Sequence, residues 1–156
     1  MRIKIGKSPS ADSRTAKKKI TKDELLKSSE MHIGDVQKAC AFLALNLLEA
    51  GVHHDHTKIS GIDDFYADFT SGAITEDFKG RKWYSEQHLT ERHHLTDRCP
   101  EDVNLIDVLE RIADIVTAGL ARSGEVYDDM LGPEVLAKAY KNTIELLKQN
   151  IEVFDE

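Results

Sequence analysis

Cysteine is scarce in this chain: only Cys40 and Cys99 occur among 156 residues. Two cysteines do not build a disulfide framework, so we expect a reducing, cytoplasmic environment. Long apolar runs are also missing, and none approaches the roughly 20 residues that a membrane span needs. The polar, basic beginning lacks the apolar segment of a secretory signal. These absences predict a cytoplasmic protein with no membrane partner.

Several catalytic motifs are missing as well. Gly6-Lys7-Ser8 is not preceded by the glycine that a phosphate-binding P-loop requires. No Gly-x-Ser-x-Gly sequence occurs, and neither cysteine lies in an evident Cys/His pair. The sequence therefore argues against P-loop enzymes and against a serine or cysteine nucleophile.

Charge is distributed unevenly. The formal net charge is −7, yet residues 1–22 contain eight basic residues and one acid. We expect residues 1–22 to form a flexible basic arm and residues 23–156 to form one acidic domain. Long nucleic acid is an unsuitable ligand for an acidic domain, because phosphates are contacted by Lys and Arg. The arm is interpreted as a solvated tail, with a tether to nucleic acid or to an acidic surface as the alternative.

Apolar periodicity predicts an all-α fold, a single compact bundle of about five or six helices. The expected helices cover about 22–50, 62–70, 83–94, 100–122 and 133–153. Gly51 and Gly124 are expected to end helices, and Pro133 to begin the last one. In the first helix we expect Ile33, Val36, Cys40, Leu43 and Leu47 to be buried. No segment alternates for long enough to predict a strand.

The seven histidines all lie between residues 32 and 94. They form three groups, namely His32, then His53, His54 and His56, and then His88, His93 and His94. Imidazole is the commonest metal ligand in proteins, and mixed histidine and carboxylate sites suit Mn, Fe, Zn, Co or Mg. Any single histidine would more often be a surface or core residue, but the grouping within an acidic domain favours a divalent metal site.

Asp114 is the second anomaly, because apolar residues surround it in the middle of a predicted helix. A buried carboxylate is costly unless it is paired or coordinates a metal. Asp107 lies two turns earlier on nearly the same face, with Glu110 between them. We interpret Glu110 as solvent-facing and Asp114 as a functional residue.

The ordered set of these residues resembles the HD-domain phosphohydrolase superfamily. The resemblance rests on an early helical histidine, His54-Asp55 followed by Lys58, and a later apolar helix with Ala113-Asp114. It implies His32, His54, Asp55 and Asp114 as metal ligands. His88, His93 and His94 lie where relatives with several metals carry additional histidines.

A closer resemblance is to a family of small, uncharacterised proteins common in phages and bacteria. Its pattern is His-Asp-x-(Ser/Thr)-Lys, an aromatic and acidic stretch, then Trp, His and His-His. Residues 54–58, Trp83, His88 and His93-His94 match that pattern. If the chain is phage-encoded, its expected location is the host cytoplasm.

The resemblance implies a metal-dependent phosphohydrolase acting on a small phosphate ester, with a nucleotide as the favoured substrate. One or two metals would be held, with Asp55, Lys58 and His88 as catalytic residues. Lys58, Arg81 and Arg92 are the expected phosphate-binding residues. On an ideal helix His88 and His93 lie about 140° apart, so they face one ion only if the helix breaks near Thr90 or His94 substitutes.

Two alternatives remain open. The first is a non-catalytic helical protein that a metal stabilises, although structural zinc sites favour cysteine. The second is an adaptor that binds a partner or nucleic acid through the basic arm. The sequence leaves the oligomeric state open, self-association included.

Overall fold

The computed structural model describes residues 2–7, 19–71 and 81–154. The elements in chain order are β1 (Ile3–Gly6), α1 (Lys22–His53), α2 (His56–Ser60), α3 (Ile62–Thr70), α4 (Leu105–Ser123), α5 (Pro133–Asn150) and β2 (Ile151–Phe154). A π-helical turn (Trp83–Gln87) and a 3-10 turn (His88–Thr90) lie between α3 and α4. The expectation of an all-α fold is confirmed, with one short sheet added to it.

The contacts divide the chain into two compact units. The first unit contains residues 1–46 and 144–156, and the second contains residues 47–143. In the first unit β1 and β2 pair in parallel, with Ile3 opposite Ile151 and Gly6 opposite Phe154. Residues 3–6, which lie within the segment expected to be a basic arm, form the strand β1. Residues 8–18 of that segment lie outside the described residues.

Helix α1 begins with a reciprocal cap. The Thr21 backbone N–H donates to Glu24 Oε2 at 2.7 Å, and the Glu24 N–H donates to Thr21 Oγ1 at 3.2 Å. The helix continues through Gly51 to His53, so the predicted end at Gly51 is wrong. Along its predicted apolar stripe, Ile33 and Val36 are exposed rather than buried.

The core of the second unit lies between the beginning of α4 and α5. Its buried members are Leu95, Val103, Val108 and Ala139. Asn142 Nδ2 donates to the Val103 carbonyl at 2.8 Å, so a polar side chain of α5 also anchors the segment before α4. This core fixes the position of α4.

Helix α4 starts at Leu105, five residues later than predicted. Asn104 is its N-cap, and its Oδ1 accepts from the Ile106 N–H at 2.8 Å. Asp107 Oδ2 accepts from the Asn104 N–H at 2.8 Å, which completes a capping box. Gly124 ends the helix with φ 79°, as the sequence predicted. None of the helices among the described residues is long and apolar enough to cross a membrane.

We expect Asn104→Ala to lower the free energy of unfolding by about 1 kcal/mol, because the first turn of α4 loses its side-chain acceptor. Urea unfolding followed by circular dichroism measures this change. Asn104→Asp is the matched control, because its carboxylate keeps the acceptor. Equal stability of the alanine and aspartate variants would contradict the assigned cap.

Candidate metal centre

Asp55 lies in the turn between α1 and α2 in a left-handed conformation. Its φ is 54° and its ψ is 25°, and it is the one non-glycine residue with positive φ among those described. Aspartate tolerates this region better than most residues, and such backbone conformations are concentrated at functional sites. Its side chain makes no capping hydrogen bond to α2. The carboxylate instead accepts a hydrogen bond from the Lys58 ammonium group.

Four histidines surround this carboxylate. His54 Nε2 lies 3.5 Å from Asp55 Oδ2, and His93 Nε2 lies 3.5 Å from Oδ1. His88 Nε2 lies 3.7 Å from Oδ1 and 3.0 Å from His94 Nε2. Two groups of potential ligand atoms result, each within 4.8 Å: His54, Asp55 and His93, and Asp55, His88 and His94. Asp55 belongs to both groups.

The spacing of these atoms fits a divalent ion. Ligand bonds of about 2.1 Å place neighbouring donors about 3.0 Å apart in an octahedral site and about 3.4 Å apart in a tetrahedral one. The histidine and carboxylate separations are near these values, and the 3.5 to 3.7 Å contacts are too long for good hydrogen bonds. The separations between Asp55 and the three imidazoles His54, His88 and His93 are therefore compatible with a shared ion.

Unsatisfied polar atoms support the same interpretation. Asp55 Oδ1 and both ring nitrogens of His93 are buried without a hydrogen-bond partner. His93 is only 1% exposed, so this lack of partners is costly in the metal-free chain. A cation between Asp55 Oδ1 and His93 Nε2 would satisfy both atoms. The residues present thus fit a metal ion.

Glu110 on α4 orients two of the imidazoles from behind. Its Oε1 lies 2.9 Å from His54 Nδ1 and 3.2 Å from His93 Nδ1. The first contact is a hydrogen bond, and the second has the distance of an ion pair without hydrogen-bond angles. A carboxylate behind an imidazole favours the tautomer whose Nε2 lone pair faces a metal. Glu110 therefore directs His54 and His93 toward Asp55.

Thr57 makes the corresponding contact for His88, and Glu91 in turn holds Thr57. Thr57 Oγ1 lies 3.0 Å from His88 Nδ1, and the Thr57 N–H donates to Glu91 Oε1 at 3.0 Å. Glu91 is buried and also lies 2.9 Å from His56 Nδ1. Trp83 stacks on the face of the His88 ring, with the two ring centroids 4.7 Å apart. These contacts leave His88 Nε2 facing the carboxylate.

Charge at the centre favours an ionised carboxylate. Burial alone would raise the pKa of Asp55, but the hydrogen bond and positive charge of Lys58 hold that pKa below its ordinary value. Burial would likewise raise the pKa of Glu110, and its contacts with His93 and His54 hold that pKa down. Both acids are thus ready to act as anionic partners.

Burial has the opposite consequence for the imidazoles. It lowers the pKa of His88, and it lowers the pKa of His94 to about 4, with the neighbouring His93 and His88 adding to the effect. Neutral imidazole is the form that binds metals. These two rings therefore need no deprotonation at neutral pH.

Two arginines hold the segment with His93 and His94 against α4. Arg92 donates to both carboxylate oxygens of the buried Asp107, at 2.7 and 2.9 Å. Arg111 donates to the His93 carbonyl at 3.1 Å and to both oxygens of Asp129. Their guanidinium groups link the histidine segment to the helix that carries Glu110.

The chain leaves helical geometry after Thr90, which is one of the two conditions named for His88 and His93 to face one ion, and His93 and His94 reach the cluster. The 3-10 turn ends at Thr90, and Glu91 is extended with ψ 129°. The continuous helix predicted over 83–94 is therefore wrong. His54, Asp55, Lys58, His88, His93 and His94 are brought together.

Asp114 also lies at the edge of the cluster. Its Oδ1 is 3.5 Å from His54 Nε2, and its side chain is 31% exposed, so it is less buried than the sequence suggested. His32 belongs to neither group of potential ligands, and it is exposed.

Two predicted phosphate-binding residues have other partners. Arg92 is engaged by Asp107 and Asp102, and Arg81 donates to Ser71 Oγ at 2.7 Å. Glu110 was interpreted as solvent-facing, which is wrong. Thr57 and Glu91 were not identified from the sequence. The only signal for them is that Thr57 follows His56 and that Glu91 precedes Arg92-His93 in the chain.

A cavity of about 320 Å³ adjoins the cluster. His54, Glu110 and Asp114 line it together with residues of α1 and α4. Comparisons of the chain with protein-family models, with curated proteins and with solved structures found no match.

We expect Glu110→Gln to weaken metal binding by about 10- to 100-fold, because the amide no longer offers an anionic acceptor to both imidazoles. Equilibrium dialysis against Zn²⁺ or Mn²⁺ measures the affinity. Glu86→Gln, a substitution at an exposed acid, is the matched control and should bind as the wild type does. Wild-type affinity in Glu110→Gln would show that this carboxylate does not support the site.

Trp83 offers an optical measurement of the same site, since it is the only tryptophan of the chain. We expect Co²⁺ to quench its fluorescence saturably, because the indole stacks on His88. Zn²⁺ should bind with little quenching, as a d¹⁰ ion lacks the electronic states that accept the excitation. If an excess of Zn²⁺ did not reverse the quenching by Co²⁺, the two ions would not share this site.

Proposed function

We propose that this chain is a divalent-metal-dependent phosphohydrolase that acts on a small phosphate ester. The observation that carries the proposal is the position of Asp55, whose carboxylate belongs to both groups of potential ligands. A shared carboxylate lets one or two ions be held beside a single open space. Mn, Fe, Zn, Co and Mg all accept histidine and carboxylate ligands, with Zn and Fe better suited to so many imidazoles.

The composition of the cluster favours a catalytic site over a structural one. Structural zinc sites are usually closed by four ligands, most often with cysteine. Both cysteines here are exposed, and neither belongs to the groups of ligand atoms. A cavity beside His54 and Asp114 gives a substrate access to the metal-binding side chains.

A divalent ion bound there would polarise a phosphoryl oxygen and make water a nucleophile near neutral pH. The chain's own residues position that chemistry. Glu110 and Thr57 hold the imidazole rings, and Lys58 holds Asp55 ionised. Of the three residues expected to bind phosphate, Lys58 lies in the cluster and carries the positive charge that a phosphate would meet.

The order of the residues supports the resemblance to HD-domain phosphohydrolases. His54-Asp55 and Asp114 follow the order of that family, and Asp114 approaches His54. His32 does not take the place of the early histidine of that pattern. His93, which approaches both Asp55 and Glu110, supplies the further imidazole from another segment.

We expect Asp55→Asn to lose bound metal and to lower phosphate release by more than about 100-fold. Loss of a residue that only orients a ligand lowers metal affinity or activity by up to about 100-fold, and loss of a direct ligand should lower it further. Metal content is measured on purified protein by mass spectrometry, and phosphate release on a panel of nucleotides and simple phosphate esters. Asp63→Asn, at an exposed acid of α3, is the matched control.

Metal binding without hydrolysis of any ester would overturn the enzymatic proposal and favour the metal-stabilised alternative. In that case Asp55→Asn should lower the unfolding temperature of the metal-loaded protein, while phosphate release stays at background in every variant. Absence of bound metal in the wild type would reject both functions.

A further inference from the structure

The cavity beside the metal cluster has an unusual lining for an enzyme of phosphate esters. Its charged lining residues are Glu110 and Asp114, and neither lysine nor arginine lines it among the residues that the structure describes. An anionic group would meet two carboxylates there without a counter-charge. The phosphate itself therefore belongs on the side of Asp55 and Lys58, neither of which lines this cavity.

The remaining lining is apolar or small, with Leu47 from α1 and Leu109 and Ala113 from α4. Apolar pockets with a few polar groups are the usual sites for organic ligands. A cavity of about 150 Å³ is enough to hold a benzene ring, and this one is about 320 Å³. It has room for a ring with a further substituent.

Gly51 keeps this space open from the α1 side. A glycine inside a helix costs about 1 kcal/mol relative to alanine. Gly51 has no positive φ, and an added Cβ would meet no atom within 4 Å, so neither the backbone nor packing requires glycine here. Its distinguishing feature is that it lines the cavity.

We infer that this cavity binds the uncharged or cationic organic group of the phosphate ester, and that Gly51 determines how large that group can be. The inference rests on the proposed function, because it places the phosphate at the metal ligands. It assigns the specificity of the site to the face formed by Leu47, Gly51, Leu109 and Ala113.

Gly51→Leu tests the inference, with Gly34→Leu as the matched control. Gly34 lies in the same helix, also has no atom within 4 Å of an added Cβ, and does not line the cavity. With the metal-loaded full chain, Gly51→Leu should lower kcat/KM for 4-nitrophenyl phosphate by at least about tenfold, the scale of a pocket contact. Hydrolysis of methyl phosphate should not change, and Gly51→Ala should give an intermediate effect.

Binding of small rings separates this inference from hydrolysis. Saturation-transfer NMR with benzylamine, benzyl alcohol and benzoate should detect the first two and not benzoate, and Gly51→Leu should abolish that binding. Benzoate binding equal to the others, or binding unaffected by Gly51→Leu, would overturn the inference. Ring binding as expected, with no ester hydrolysed by the wild type, would support the cavity's ligand class and reject the proposed function.

Discussion

The candidate site depends on one strained turn. Asp55 reverses the chain between α1 and α2 in the left-handed region, and its carboxylate caps neither helix. The carboxylate is instead held by Lys58 and faced by four imidazoles. A right-handed residue at this position would continue α1 and carry the carboxylate around the helix axis. The unfavourable backbone conformation is therefore the condition under which the two ligand groups share an atom.

The remaining contacts keep the imidazoles fixed around that carboxylate. Glu110 contacts His54 and His93 from α4, and α4 is itself fixed by its capping box and by the ion pair between Arg92 and the buried Asp107. The same arginine precedes His93, so one ion pair positions both the histidine segment and the helix behind it. The buried, unpartnered atoms of His93 and Asp55 then make the metal-free cluster costly. Metal binding and folding of this unit are expected to be coupled for that reason.

The cavity and the cluster complement each other chemically. The cluster contains one lysine and the potential ligands of a cation. The cavity beside it is lined mainly by apolar residues and by two carboxylates. The proposed substrate, a phosphate ester, likewise has an anionic group and an organic group. On that proposal the cluster meets the anionic group, and the cavity lining from α1 and α4 meets the organic group.

The sequence by itself determined the helical class, the position of Gly124 and Pro133 at helix ends, and the identity of the residues around Asp55. Local patterns carry these features, since periodicity and capping act within a few residues. The angular spacing of His88 and His93 left two possibilities open, a break near Thr90 or substitution by His94, and the structure has the break.

Only the tertiary structure decided which acids support the histidines. Glu110 was assigned to solvent because its partner His54 lies on another segment, 56 residues earlier. The same holds for the parallel pairing of residues 3–6 with residues 151–154, and for Thr57 behind His88. His32 matched the family pattern in order but lies in the same continuous helix that ends beside His54. Order along a chain does not specify distance, because long-range packing decides which segments meet and where a helix ends.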